Sequence, residues 1–353
     1  MRKLYLIILA IFFSACGGGG GTTTNPSNPT EPQSTIDDPY FYTQWNLEYN
    51  ATYGEDFSID SEASISGSST LRTYTGKGVK ITVIDDGVDL NHEDLVGSID
   101  SKYDLASGTQ TVGHSSSSDY HGTAVAGIIG ANANNVGIRG VAPESELVII
   151  KYKSVMSDSE TISLFNKAVE LGADIINCSW GTGNVSPAVR SAIQEIANNG
   201  RDGKGTFIVF ASGNNNWYMG NDESAIPEVV AVGATDRTGL RSSFSNYGPY
   251  LDLVAPGGDY GLGIPTLDPM GSAGSDNIDG YKHQIGTSFS TPTVAGAIAL
   301  ALEANPDLTL EEFIQYLNET SDKVGSVLYQ DGRNNYYGYG KLNLDNLMKK
   351  VAP

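Results

Sequence analysis

The sequence predicts an α/β domain: a doubly wound, mostly parallel sheet flanked by helices in three layers, α/β/α. Two observations carry that expectation. From Gly76 onward, short β-branched runs alternate with helical patterns, the order that builds strand–helix–strand units. Near the other end, Val294 to Leu302 is small, apolar and uncharged, which marks a helix buried on nearly all sides.

The elements follow in order. "VKITVID" (Val79–Asp85) is rich in β-branched residues and runs into Asp-Asp-Gly, a buried strand entering a turn. "HGTAVAGIIGA", beginning at His121, is a helix of small residues, and "ELVIIK" (Glu146–Lys151) is a strand. "ETISLFNKAVELG" (Glu160–Gly172) is an amphipathic helix closed by glycine. "ADIINCSWG" is a strand, and "SPAVRSAIQEIANNG" a helix with Ser186 as cap and Pro187 in its first position. "GTFIVFASGN" and "EVVAVGAT" are further strands. "GTSFSTPTVAGAIALALEA" (Gly286–Ala304) is the core helix. Its hydroxyl-rich start reads as a cluster of N-terminal caps, with Pro292 at the edge of the first turn, where a missing donor costs least. "LTLEEFIQYLNET" is a last amphipathic helix, and no internal repeat is evident.

Composition bounds the partners. The 353 residues are 39% hydrophobic with 42 glycines, as in a globular chain with many tight turns. A formal net charge of −20 argues against nucleic acid and anionic lipid heads as partners. The N-terminus, "MRKLYLIILAIFFSAC", pairs a basic start with an apolar run too short to be a permanent membrane span. It is expected to be a secretory signal over residues 1–15. Phe13-Ser14-Ala15-Cys16 resembles a bacterial lipobox, so Cys16 is expected to be lipidated and to become the first mature residue. Residues 16–36 are Gly, Thr, Pro, Asn and Ser with almost no apolar side chain, a disordered tether. About 20 such residues reach on the order of 25 Å. Residues 37–353 then form the domain, exported from the bacterial cytoplasm and lipid-anchored to a membrane. Cys178 is the other cysteine, so no intramolecular disulfide is expected once Cys16 carries lipid. A buried, inert thiol is the expectation for it.

In doubly wound sheets the working site lies beyond the C-terminal ends of the strands. Asp85, Ser179 and Asn214 all fall at such ends. Acyl transfer by serine needs a base within hydrogen-bond reach, an acid that orients the base, and donors for an oxyanion. "VIDDG" offers Asp85, "YHGTAVAG" offers His121, "FASGN" offers Asn214, and "GTSFSTP" offers Ser288 at a helix N-terminus. There the backbone N–H and the helix dipole favour developing negative charge.

In that order and with those neighbours, the set resembles the subtilisin-like serine proteases, the subtilases. "VIDDGVDLNHEDL", "HGTAVAGII" and "GTSFSTPTVAG" match the three signature segments, and the resemblance runs from about Asp38 to Leu347. It implies an extracytoplasmic serine endopeptidase with Asp85 as orienting acid, His121 as general base and Ser288 as nucleophile. Asn214 and the Ser288 N–H would bind the oxyanion. Substrate would pair with Ser179-Trp180-Gly181, while Ala211-Ser212-Gly213 forms the other wall of S1. The nearest branch is the kexin-like one, by Asp85-Asp86, "DPYFYTQWNLE" and "SWG". In that branch Asp86 lines S2. Thr182-Gly183-Asn184 departs from the branch's acidic cluster, and its β-sandwich domain is not expected, so cleavage after paired basic residues is not implied.

The resemblance also implies a structural Ca²⁺. Asp94 and Asn134 would bind it by side chain, and Asn132, Val136 and Ile138 by backbone oxygen. Asp38 would add a carboxylate, all hard oxygen ligands. The stretch before Gly76 resembles the start of a catalytic domain, not an inhibitory prodomain. Either folding needs none, or a separate folding or inhibitory protein supplies it. Protein or peptide substrates, a membrane through the lipid, and a monomeric state complete the expectation. The alternatives are a subtilase-fold module that binds peptides without cutting them, and an esterase using the same triad.

Overall fold

The computed structural model describes residues 35–352 apart from 115, 117, 154 and 275–279. The signal segment, Cys16 and nearly all of the tether lie outside the described residues. Seven strands form one sheet: β1 (Lys80–Asp85), β2 (Ile99–Asp104), β3 (Glu146–Lys151), β4 (Ile175–Cys178), β5 (Phe207–Ala211), β6 (Val230–Thr235) and β7 (Leu253–Pro256). Their order is β2-β3-β1-β4-β5-β6-β7, and every pairing is parallel. A separate antiparallel hairpin joins β8 (Ile264–Leu267) to β9 (Tyr281–Gln284). The helices are α1 (Ala51–Phe57), α2 (His121–Gly130), α3 (Asp158–Glu170), α4 (Pro187–Gly203), α5 (Thr287–Ala304), α6 (Leu310–Thr320) and α7 (Leu344–Val351).

The central strands are continuous apolar runs because both faces are covered. Alternate side chains feed opposite layers. Leu147 and Ile149 of β3, and Phe207 and Val209 of β5, join the core beneath α2 and α5. Their neighbours Val148, Ile150, Ile208 and Phe210 join the core beneath α3 and α4. α5 packs on α2 and on β4 to β7, so its uncharged sequence meets protein on almost every side. Thr287 and the run from Val294 to Leu302 are all buried.

The chain passes from β3 to β4 across β1, so the direction of winding reverses beside β1. A crevice opens at such a switch point, and Asp85 stands at the C-terminal end of that strand.

The expected elements are present with shifts of a few residues. α4 leaves helical geometry at Gly200, which is extended (ψ 176°), and Arg201 and Asp202 then take left-handed angles; Gly200 is where the sequence pattern stopped. Other elements carry weaker signals. β2, "IDSKYD", is a half-exposed edge strand with three charges besides its apolar residues. β7, β8 and β9 are four residues each, too short for a periodic pattern to show.

Candidate active site

Asp85 ends β1 fully buried. Its Oδ1 accepts from His121 Nδ1 at 2.8 Å and from the Asp86 N–H at 2.8 Å, and its Oδ2 lies 3.1 Å from the same ring nitrogen. Nδ1 therefore carries the proton, and Nε2 is the ring's remaining basic atom. His121 opens α2, whose preceding residue Tyr120 supplies no side-chain cap. Asp86 supplies it instead: its Oδ1 accepts from Gly122 N–H at 2.8 Å and its Oδ2 from His121 N–H at 3.2 Å. A Cβ on Gly122 would sit 2.3 Å from the Gly87 carbonyl oxygen. Glycine is what lets this helix approach the β1 turn.

The electrostatics follow from that geometry. Burial pulls the His121 imidazole down, but the Asp85 charge and hydrogen bond, with the Asp86 charge, outweigh it and raise it above its ordinary value. Asp86 is pushed up to about 6, first by burial and then by the Asp85 charge. Expected to line S2, Asp86 has both oxygens engaged by the start of α2.

Ser288 lies in the first turn of α5, and the start of that helix departs from the sequence expectation. The hydroxyls do not cap it. Ser290 and Thr291 donate back to the Thr287 carbonyl at 3.0 and 2.7 Å. The cap comes from across the cleft, where Asn214 Oδ1 accepts from Thr287 N–H at 2.8 Å and Thr287 Oγ1 at 3.0 Å. With its oxygen held, Asn214 offers its Nδ2 donor to the cleft. Among the described residues, nothing accepts from the Ser288 N–H. Pro292 lies inside α5 and not at its edge. Its missing N–H leaves the Ser288 carbonyl without the usual donor four residues on, and Ser179 Oγ fills that vacancy at 2.9 Å. In return Ser288 Oγ donates to the Ser179 carbonyl at 3.0 Å.

A cleft of about 510 Å³ runs from Ser288 between the two predicted walls. Ser179, Trp180 and Gly181 line one side, Ala211, Gly213 and Asn214 the other. Ser212 does not line it; its side chain is fully buried, and Asn246 Nδ2 donates to its carbonyl at 2.9 Å. Residues after a β-strand alternate in direction, so the middle of the three turns inward. Trp180 serves both cleft and core. Its ring packs edge-on to Phe210, and its Nε1 donates to the Ile84 carbonyl at 2.9 Å, beside Asp85. Cys178 is buried, and burial raises its thiol well above the ordinary value, so it is inert. Thr287, Trp217, Tyr218 and Asp222 also line the cleft. The sequence signal for Trp217, Tyr218 and Asp222 was an aromatic pair in an otherwise polar loop, "NNNWYMGND".

The expected calcium residues come together. Asp94 is fully buried, its Oδ2 accepting from Ile138 N–H at 3.0 Å while its Oδ1 has no hydrogen-bond partner. Asp38 Oδ1 accepts from the N–H groups of Asn134 and Asn135 at 3.1 and 2.9 Å. Among the described residues, none donates to the carbonyls of Asn132, Val136 or Ile138. Burial raises Asp38, and raises Asp94 to about 6. The Asn132 side-chain oxygen accepts from Ser98 Oγ at 2.6 Å, while its carbonyl, the expected ligand, is left without a donor among the described residues. Asn134 Oδ1, expected as a ligand, accepts from Val136 N–H at 2.9 Å. Among the described residues no three His, Cys, Asp or Glu gather to hold a metal; this loop offers carbonyls and two carboxylates.

A parallel sheet with a buried Asp–His pair, its imidazole 5.4 Å from the Phe289 ring beside a helix-start serine, and an amide donor on that serine's cleft, is the build of an α/β serine hydrolase. Residues 76–340 match the family model described as Subtilase family, and the chain belongs to that family. It is 33% identical over 350 residues to the "Calcium-dependent protease" of Trichormus variabilis, covering 89% of this chain and 52% of that protein. The chain thus spans about half the length of that relative. To "Subtilisin Savinase" of Lederbergia lenta it is 34% identical over 281 residues, 78% of this chain and 92% of the other. Among solved structures, a protease from Pseudoalteromonas arctica PAMC 21717 superposes with a TM-score of 0.75 at 26% identity, covering 90% of this chain and all of that one.

The capping role of Asp86 has a measurable consequence. Asp86→Ala leaves two first-turn N–H groups of α2 without an acceptor and is expected to cost about 1–2 kcal/mol. Urea unfolding of the variant against the wild type measures it, and an unchanged midpoint would show that the cap contributes nothing.

Proposed function

We propose that the protein is a serine endopeptidase that hydrolyses peptide bonds through Asp85, His121 and Ser288. The observation that carries this reading is the 2.8 Å bond from His121 Nδ1 to the buried Asp85, with the His121 ring centroid 5.4 Å from that of Phe289, the residue after Ser288. Asp85 fixes the tautomer, so Nε2 takes the proton as Ser288 Oγ leaves the Ser179 carbonyl and attacks the substrate carbonyl. Asn214 Nδ2 and the Ser288 N–H bind the oxyanion. The proton then passes from Nε2 to the leaving amine, and water, deprotonated by the same nitrogen, releases the acyl group from Ser288. The extended segment at Ser179–Gly181 pairs with the peptide backbone. The names of the relatives, proteases and a subtilisin, support peptides over simple esters as substrates.

One observation favours the rival, a module that binds peptides without cutting: Ser288 Oγ donates to Ser179 and not to His121. Fluorophosphonate labelling separates the two. The wild type is expected to be labelled, Ser288→Ala is not, and the labelling rate falls on acidification. Because the imidazole is raised above its ordinary value of 6.5, the active neutral form is lost as pH drops through a midpoint above 6.5. Folded wild-type protein that takes no label would sink the protease reading.

The loop 132–138 with Asp38 and Asp94 fits a hard cation: a buried carboxylate oxygen without a partner, a second carboxylate, and carbonyls with no donor. We assign a structural Ca²⁺ there, held by Asp38, Asp94 and the carbonyls of Asn132, Val136 and Ile138, with Asn134 shaping the loop. A bound cation would stabilise the two buried charges and tie the segment before α1 to the domain. The name of the Trichormus variabilis relative supports dependence on calcium. Calcium at a hundredfold excess over its Kd is expected to add about 2.7 kcal/mol, seen as a melting temperature that falls in excess chelator. Asp94→Asn should remove most of that difference; identical melting curves with and without chelator would rule the site out. The lipobox-like Cys16 and the tether support a location outside the cytoplasm, anchored to a membrane, with a separate folding or inhibitory protein as a further partner.

A further inference from the structure

Resting on the protease reading, we infer that the cleft selects a cationic side chain, Lys or Arg, at the residue before the scissile bond. The observation is one of charge. Of the residues that line the cleft, Asp222 is the one that carries a charge, and no Lys, Arg or His lines it. Among the described residues Asp222 has no ion-pair partner. Its Oδ1 accepts from Ser224 Oγ at 2.7 Å, which fixes the carboxylate. Its Oδ2 lies 3.8 Å from where a Cβ on Gly181 would stand, on the wall expected to pair with substrate. Gly181 has no side chain to screen it.

Neighbouring groups agree in sign. Glu223, buried behind the same wall, receives the Thr182 N–H at 3.0 Å and the Thr182 hydroxyl at 2.7 Å, adding a second negative charge beneath the floor. Arg190 donates to Asn221 Oδ1 at 2.8 Å and is not among the residues that line the cleft. At the mouth, Trp217 and Tyr218 are 68% and 59% exposed. Asn246 Oδ1 holds the Trp217 N–H at 2.9 Å, so the loop that carries them is pinned. Exposed aromatic rings beside an unpaired carboxylate suit a long side chain with an apolar stem and a cationic head. An acidic side chain would meet Asp222 and Glu223 unpaired, and an apolar one would strip water from Asp222 without replacing it.

This differs from recognition of paired basic residues. It involves one position, and it uses an acid from the loop after β5, not one following Ser179–Gly181.

The test is kcat/KM on matched internally quenched peptides that differ at this position alone, carrying Lys, Arg, Leu, Phe or Glu. The wild type is expected to favour Lys and Arg over Leu by at least roughly tenfold, and Asp222→Asn to reduce the Lys-to-Leu ratio by about tenfold or more. Asp222→Lys should turn the preference toward Glu, and it answers the question should the Asn variant fold poorly. Turnover with Leu or Phe preferred by the wild type, or a Lys-to-Leu ratio untouched in both variants, overturns the inference and leaves the protease reading standing. If no peptide is cut and the fluorophosphonate does not react, both fall together.

Discussion

One hydrogen bond organises this molecule: His121 Nδ1 to Asp85 Oδ1 across the β1–α2 junction. A carboxylate with no solvent exposure is costly unless its oxygens are matched by donors. Asp85 meets that condition locally, through the imidazole and the next backbone N–H. The requirement reaches outward. For the ring to lie there, α2 must begin within contact of the β1 turn. That needs Gly122 for clearance and Asp86 to receive the first N–H groups of the helix. Trp180, bonded to the Ile84 carbonyl, ties the Ser179–Gly181 wall of the cleft to the same strand end.

The second half of the site is built by exchange between segments far apart in sequence. Asn214 holds the start of α5, and α5 in turn fixes the amide so that its donor end is left for the cleft. Ser179 and Ser288 each donate a hydroxyl to the other's carbonyl, an arrangement made possible by Pro292 four residues into the helix from Ser288. The Ser179 segment, Asn214 and Ser288 are thus one hydrogen-bonded unit. A change in any of Asn214, Thr287 or Ser179 is felt at Ser288.

Much of this was legible in the sequence. The long apolar strands and the charge-free run of α5 announced a sheet covered on both faces, and Asp85, His121, Asn214 and Ser288 fell at strand and helix ends. The reading failed where a residue's partner is remote. The hydroxyls before Thr293 look like caps because local chemistry favours that, yet the cap is Asn214, from the loop after β5. Asp86 reads as a substrate-facing acid, and its second role, receiving the first N–H groups of the helix that starts at His121, does not show in its neighbours because that helix begins many residues on. Ser212 is in the right motif but on the wrong side of an extended chain. Strands β2, β7, β8 and β9 are short or half-exposed and carry no periodic signal.

The account stands on the claim that Asp85 holds His121 in the tautomer that makes Nε2 a base. Asp85→Asn tests it most directly, because the side chain keeps its size while its amide can donate to Nδ1 and reverse the tautomer. With circular dichroism unchanged, kcat on a peptide substrate is predicted to fall by about 10⁴-fold near neutral pH. A loss of less than roughly tenfold, in protein that is folded and labelled at Ser288, would contradict it.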